Sequence, residues 1–173
     1  WDGDFMMRSL DGYCDEYLGV PIKVGSWPNN QKYGLSPAHC DIPYLFKAFL
    51  LQEAIEAGYT KLLWCDSTII KVGNLDPIFE YAAKHGVCAF DNLGYPLIYW
   101  IHDAAMKRLG LNETDLDGMI QIMACAVAFD IEHPVGNEIF FQWIEKGLDG
   151  VSFNMRDFGS KRKGYRGHQG DQP

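Results

Sequence analysis

Short apolar runs alternate with longer amphipathic stretches from Asp41 onward, and Gly, Pro or Asp marks most of the changes. Apolar residues three or four positions apart predict helices over about 41–58, 76–86, 103–109 and 136–146. Continuous apolar runs predict strands over 61–65, 87–90 and 120–129. Strands that alternate with helices are typical of an α/β fold, so we expect a mostly parallel central sheet with helices on both faces.

The strand 61–65 is the most informative element because it runs directly into Asp66, Ser67 and Thr68. Its apolar centre, Leu62–Trp64, suits a strand that is covered on both faces. At the carboxyl end of a parallel strand, side chains leave the core and face the crevice where open α/β sheets bind ligands. A purely local role for Asp66 as a turn cap is the alternative, since Asp and Ser stabilise turns by hydrogen bonding to nearby backbone.

Two further predicted strands end at carboxylates. The strand 87–90 runs into Asp91 and Asn92, and the strand 120–129 ends at Asp130. In a parallel sheet the carboxyl ends of the strands lie at one edge, so these side chains are expected to face the same crevice as Asp66.

Composition narrows the class of protein. The 173 residues are 47% apolar and 14% aromatic, which suits one soluble domain over 1–173. A net charge of -8 argues against binding to nucleic acid or to anionic membranes, and no apolar stretch reaches the roughly 18 residues of a membrane span. Five dispersed cysteines suggest buried thiols in a reducing compartment such as the cytoplasm, with a single disulfide as the alternative.

Basic residues concentrate near the end of the chain. One short segment carries 5 of the 15 Lys and Arg residues, namely Arg156, Lys161, Arg162, Lys163 and Arg166. Such a segment can bind an anion such as a diphosphate, and a solvated basic loop is the equally weighted alternative.

A longer motif surrounds Asp66. The strand leads into Asp66-Ser67-Thr68-Ile69-Ile70, and Gly73-Asn74-Leu75-Asp76-Pro77-Ile78-Phe79 follows. This segment resembles the nucleotide-sugar glycosyltransferases of the GT-A fold, in which Asp-x-Asp, a hydrophobic pair and Gly-Asx-Leu-Asp precede a helix. The upstream helix with Tyr44–Lys47 and the Asp171-Gln172 pair are also similar to that family, so the resemblance covers most of 33–172.

The resemblance implies a Rossmann-like sheet and a hexosyltransferase-like enzyme that moves a sugar from a nucleoside diphosphate sugar to a saccharide, lipid or protein. The charge of the leaving diphosphate must be neutralised, which implies Mn²⁺ or Mg²⁺. The implied metal ligands are Asp66, His168 and Asp171. The implied donor-binding residues are Asp66, Ser67, Thr68, Asp91, Asn92, Arg162, Lys163, Arg166 and Gln172. Asp171 is the first candidate for the general base, and Asp130 is the second.

Two departures from the family pattern leave alternatives open. Thr68 stands where the family has its second acid, which leaves a weaker metal site, a metal-independent enzyme that relies on the basic tail, or a binding-only relative. The stretch 1–18 lacks the family's first strand, so we expect a fold truncated at both ends within a longer chain. A non-catalytic carbohydrate- or nucleotide-binding module is the second hypothesis. A phosphotransferase or nucleotidyltransferase is the third, although the chain contains no Gly-rich phosphate loop.

Overall fold

The computed structural model describes residues 16–17, 20–21, 44, 46–66, 69–153 and 159–169. Within these ranges the chain forms five strands and four α-helices. In order they are β1 (Glu16–Tyr17), β2 (Val20–Pro21), α1 (Phe46–Glu56), β3 (Lys61–Cys65), α2 (Asp76–His85), β4 (Val87–Pro96), α3 (Asp103–Arg108), β5 (Ile120–Asp130) and α4 (Pro134–Leu148). A single 3₁₀ turn, Leu97–Tyr99, follows β4. The short strands β1 and β2 pair only with each other.

The central sheet has the strand order β3-β5-β4, and β5 is antiparallel to both of its neighbours. The predicted parallel, Rossmann-like GT-A sheet is therefore wrong, since no two hydrogen-bonded strands in the described ranges run in the same direction. The reason lies in the connection 97–119, which brings the chain back to the end of the sheet at which β4 finishes. The Leu97 amide donates to the Met119 carbonyl at 2.9 Å and closes this connection. A chain that returns to the same end enters the sheet antiparallel.

The core lies on both faces of this sheet. Leu62 of β3 and Phe129 of β5 are register partners on one face, where α1 and α4 contribute Leu51 and Phe140. The neighbouring residue Ala128 of β5 faces the opposite side of the sheet. There it packs in one buried cluster with Ala82 of α2 and with its register partner Cys88 of β4. Side chains alternate between the two faces because the strand repeat is two residues.

Several predicted elements are confirmed at or near their predicted ends. The strand β3 and the helices α2 and α4 lie where the apolar pattern indicated. The first predicted helix is expected to begin near residue 41, which lies outside the described residues, and α1 is described from Phe46. Within α1, Leu50 is half-buried, whereas Lys47 is buried. Strand β4 continues past Asp91 to Pro96 instead of ending at Phe90. The described cysteines are free thiols, with Cys88 buried, Cys125 half-buried and Cys65 exposed.

The start of α4 lies in direct backbone contact with the turn between α2 and β4. The amide of Asp130 donates to the carbonyl of Gly86 at 2.9 Å, and Gly136 lies against the same carbonyl. A Cβ at position 136 would collide with the backbone oxygens of both Gly86 and Asp130. Only glycine permits this approach of helix to turn.

Gly136→Ala is expected to lower the free energy of unfolding by about 2 kcal/mol, because overpacking against fixed backbone outweighs the gain of about 1 kcal/mol in helix propensity. Urea unfolding followed by circular dichroism measures the change. Gly73→Ala is the matched control, since a Cβ there meets open space. Equal stability of the two variants would contradict the close approach.

Candidate functional site

Asp66 extends β3 by one residue and then leaves the sheet. Its amide donates to the carbonyl of Cys125 at 2.8 Å, and its own carbonyl accepts from Ile69 at 2.9 Å. The strand ladder therefore fixes the backbone of Asp66, while its side chain remains 34% exposed. This is the geometry of a side chain presented at the rim of a sheet.

One carboxylate oxygen of Asp66 is tightly held. Oδ1 accepts a hydrogen bond from the indole Nε1 of Trp64 at 2.6 Å and lies 3.2 Å from the ammonium of Lys47. Within the described part of the chain, no hydrogen bond or ion pair reaches Oδ2. One carboxylate oxygen thus has two partners, and the other has none among the described residues.

Lys47 is a buried cation in the apolar face of α1, with only 3% of its surface exposed. Its ammonium donates to the carbonyl of Ala124 at 3.0 Å and lies near the rings of Tyr44 and Trp64, at 5.0 and 5.7 Å from their centroids. A buried ammonium is costly unless it is paired and hydrogen-bonded, so Asp66 is its counterion. Sequence reasoning missed Lys47; the available signal was a lysine beside the apolar positions of a helix.

Asp91 and Asn92 lie toward the same end of the sheet as Asp66. Because β3 and β4 both run antiparallel to β5, their later residues flank the first half of β5, where Asp91 is opposite Ile122. Asp91 is exposed, and Asn92 Nδ2 donates to Gln121 Oε1 at 3.3 Å. Gln121 is 1% exposed, and among the described residues its Nε2 has no hydrogen-bond partner, which is an unusual cost for a buried amide.

Asp130 lies at the opposite end of the sheet. It pairs with Lys61, the first residue of β3, and is 5% exposed. Its Oδ1 accepts from the amide of Glu132 at 3.0 Å, so the side chain caps a turn. The expectation that Asp130 shares a crevice with Asp66 is wrong because β5 is antiparallel to β3.

The described part of the basic segment, residues 159–169, is docked along residues 98–103. Arg162 is its anchor: Nη1 pairs with Asp103 Oδ1 at 2.9 Å, and Nη2 donates to the carbonyls of Ile98 and Ile101. Its side chain is only 5% exposed, so the guanidinium is not presented to a diphosphate. Lys163 and Arg166 are exposed, and Arg166 lies over the ring of Tyr99 at 5.4 Å.

His168 is a second, buried anchor of the same segment. Its Nε2 lies 2.7 Å from the carbonyl of Ser152, which can only accept, so Nε2 carries the proton. Nδ1 accepts from the backbone amide of His102 at 3.4 Å, and the two imidazole rings are 4.1 Å apart. Burial, and secondarily the neighbouring His102, lower the pKa of His168 from 6.5 to about 4. Both ring nitrogens are engaged, so neither offers a lone pair to a metal ion.

A chain of contacts joins this segment to the Asp66 region. His168 bonds Ser152, and the adjacent Phe153 packs in one buried cluster with Ala48, which follows Lys47 in α1. The predicted residues Ser67, Thr68, Asp171 and Gln172 lie outside the described residues, as does Arg156.

The described donor set does not fit the predicted Mn²⁺ or Mg²⁺. The residues described contain no group of three or more His, Cys, Asp or Glu side chains arranged for a metal ion. The Lys47 ammonium, 3.2 Å from Oδ1, would repel an ion at Asp66 Oδ2 and so lower its affinity for the carboxylate. Of the other predicted metal ligands, His168 alone is described, and both of its ring nitrogens already have partners.

The chain matches no protein-family model, and no curated protein or solved structure is significantly similar to it. Among the helices of the described ranges, none has the length and apolar character that crossing a membrane requires.

Arg162→Met is expected to lower stability by about 2 kcal/mol, because two backbone carbonyls and the half-exposed Asp103 lose their partner. Hydrogen exchange should accelerate across residues 159–169 while the amides of β5 stay protected. Lys163→Met, at an exposed neighbouring position, is the control and should change neither quantity. Unchanged exchange in Arg162→Met would show that the segment is held by other contacts.

The His168 environment predicts a pH-dependent stability. A depressed pKa contributes stability that is fully present above about pH 6.5 and is lost as the pH falls toward 4, because the unfolded chain then binds one more proton. The loss should reach about 3 kcal/mol by pH 4. His168→Gln should lack this component of the urea-unfolding profile, whereas His85→Gln, at an exposed position, should retain it. A retained component in His168→Gln would assign the pH dependence to other groups.

Proposed function

We propose that this protein transfers a sugar from a nucleoside diphosphate sugar to a saccharide, lipid or protein acceptor. The observation that carries the proposal is the Asp66 carboxylate at the rim of the sheet, which is fixed through Oδ1 and has no partner at Oδ2 among the described residues. A carboxylate oxygen held in this way is a preorganised acceptor for a donor hydroxyl. The motif of residues 61–79 adds support, because it resembles the corresponding segment of nucleotide-sugar transferases.

Sugar transfer also needs positive charge for the departing diphosphate. Lys163 and Arg166 are exposed on a segment that Arg162 and His168 hold in place. Cations on a fixed backbone require little reorganisation when a charge develops on the leaving group, so they are suited to this task. Asp171 stays the predicted general base, and Asn92 and Gln121 supply amide groups toward the same end of the sheet as Asp66.

A non-catalytic carbohydrate- or nucleotide-binding module is the second candidate. The Lys47–Asp66 ion pair favours it, because a carboxylate that already neutralises a buried ammonium can have a purely structural purpose. Thr68, in the position of the family's second acid, points in the same direction.

Asp66→Asn is expected to reduce turnover at least tenfold, a loss of about 1.4 kcal/mol of transition-state stabilisation, because a charge-assisted hydrogen bond becomes a neutral one. It should also lower stability, because the buried Lys47 ammonium loses its counterion. The assay follows release of nucleoside diphosphate from a panel of nucleotide sugars, and circular dichroism checks the fold. Asp117→Asn, in an exposed loop, is the matched control.

The outcomes separate the two candidates. Donor binding without release by the wild-type protein would favour the binding module. No binding of any donor would refute sugar transfer and nucleotide binding, and would leave carbohydrate binding as the form of the second candidate. Wild-type turnover in Asp66→Asn would leave Asp66 only its role as counterion of Lys47.

A further inference from the structure

We propose that Lys47 is the resident counter-cation of Asp66, so that this carboxylate engages the donor without a divalent metal ion. The inference deepens the proposed function and rests on it. It replaces the expected Mn²⁺ or Mg²⁺ at Asp66 with a cation that belongs to the chain itself. Three features support it: the buried position of the Lys47 ammonium, the second carboxylate oxygen of Asp66, and the exposed cations Lys163 and Arg166.

The ammonium of Lys47 is a permanent part of the structure. It is 3% exposed, bonds the Ala124 carbonyl in β5 and the Asp66 carboxylate, and lies beside two aromatic rings. Moving it to solvent would break all of these contacts. An incoming divalent ion would therefore meet a carboxylate that already pairs with one cation.

Oδ2 of Asp66 suits a neutral hydrogen-bond donor. A hydroxyl brings no net charge, so the Lys47 ammonium does not repel it, and a paired carboxylate still accepts hydrogen bonds through its second oxygen. The balanced pair also avoids the repulsion that a lone carboxylate would exert on a diphosphate. Under the proposed function this hydroxyl belongs to the nucleoside diphosphate sugar, and either the ribose or the transferred sugar of the donor supplies it.

Positive charge for the diphosphate is available from side chains. Lys163 and Arg166 point to solvent from the docked segment, whereas His168 uses both ring nitrogens within the fold. The buried Lys47 thus pairs with Asp66, and the exposed Lys163 and Arg166 are available to phosphate, so donor binding requires no metal ion.

Calorimetric titration of the whole chain with UDP, GDP, UDP-glucose and GDP-mannose tests the inference, once in excess chelator and once in Mn²⁺. We expect at least one probe to bind with affinities that agree within about twofold in the two conditions. Binding that Mn²⁺ strengthens more than about tenfold, equal to ~1.4 kcal/mol, would overturn the inference and leave the sugar-transfer proposal standing. Absence of binding in both conditions would overturn the two together.

Titration of Mn²⁺ alone, followed by its paramagnetic resonance signal, tests the role of Lys47 directly. Lys47→Met keeps the length of the side chain and removes its charge, so Mn²⁺ affinity should rise at least tenfold over wild type. Lys61→Met is the control, because Lys61 is exposed at the far end of β3. Equal Mn²⁺ affinity in a folded Lys47→Met and in wild type would overturn the counter-cation role. If Lys47→Met does not fold, the wild-type comparison between chelator and Mn²⁺ decides alone.

Asp66→Asn then identifies the hydroxyl. If the ribose supplies it, the variant should bind UDP about tenfold more weakly and 2′-deoxy-UDP as wild type does. If the sugar supplies it, the variant should lose affinity for UDP-glucose and keep that for UDP. An equal loss for every probe would overturn hydroxyl recognition by Asp66.

Discussion

The charge of one buried ammonium constrains most of this structure. Lys47 projects from α1, its hydrogen-bond partner Ala124 belongs to β5, and its counterion Asp66 follows β3. Removing an ammonium from water is tolerable only when every one of these partners is in position. The register of α1 on the sheet, the orientation of the Asp66 carboxylate and the polarity of the sheet rim are therefore consequences of the same requirement.

Hydrogen bonds and an ion pair of a second buried cation hold the basic segment in place. The loop 98–103 has backbone carbonyls that the sheet cannot satisfy, and Arg162 supplies the donors for two of them while Asp103 balances its charge. At the other end of the docked segment, His168 packs against the ring of His102 and accepts a hydrogen bond from its backbone amide. Arg162 of the basic cluster is thus part of the packed structure, whereas Lys163 and Arg166 stay exposed.

Local features were predictable because they depend on near neighbours in the chain. The apolar run of β3 and the Asp76–Pro77 start of α2 set these elements without reference to the rest of the fold. Strand direction was not predictable in the same way. It depends on whether the connection 97–119 crosses the sheet or returns, and the bond between Leu97 and Met119 that decides this joins residues far apart in sequence.

The site shows the same limit. Asp66 could be predicted because a strand that ends in a carboxylate is visible in the sequence, but the burial of Lys47 could not, since a lysine in a helix normally reaches solvent. The residue types of Arg162 and His168 predict binding to phosphate and to a metal ion. The direction in which each side chain points, however, follows from docking on the loop 98–103. Residue type limits what a position can do, whereas the tertiary contacts decide whether it faces a ligand or the core.

The glycine contact at the far end of the sheet has a consequence for the site. Gly136 sets how closely α4 approaches the sheet, and Phe140 of α4 packs in one cluster with Leu51 of α1, the helix that carries Lys47. Because this core is closely packed, the position of α1, and with it the ammonium beside Asp66, depends in part on how closely α4 approaches the opposite end of the sheet.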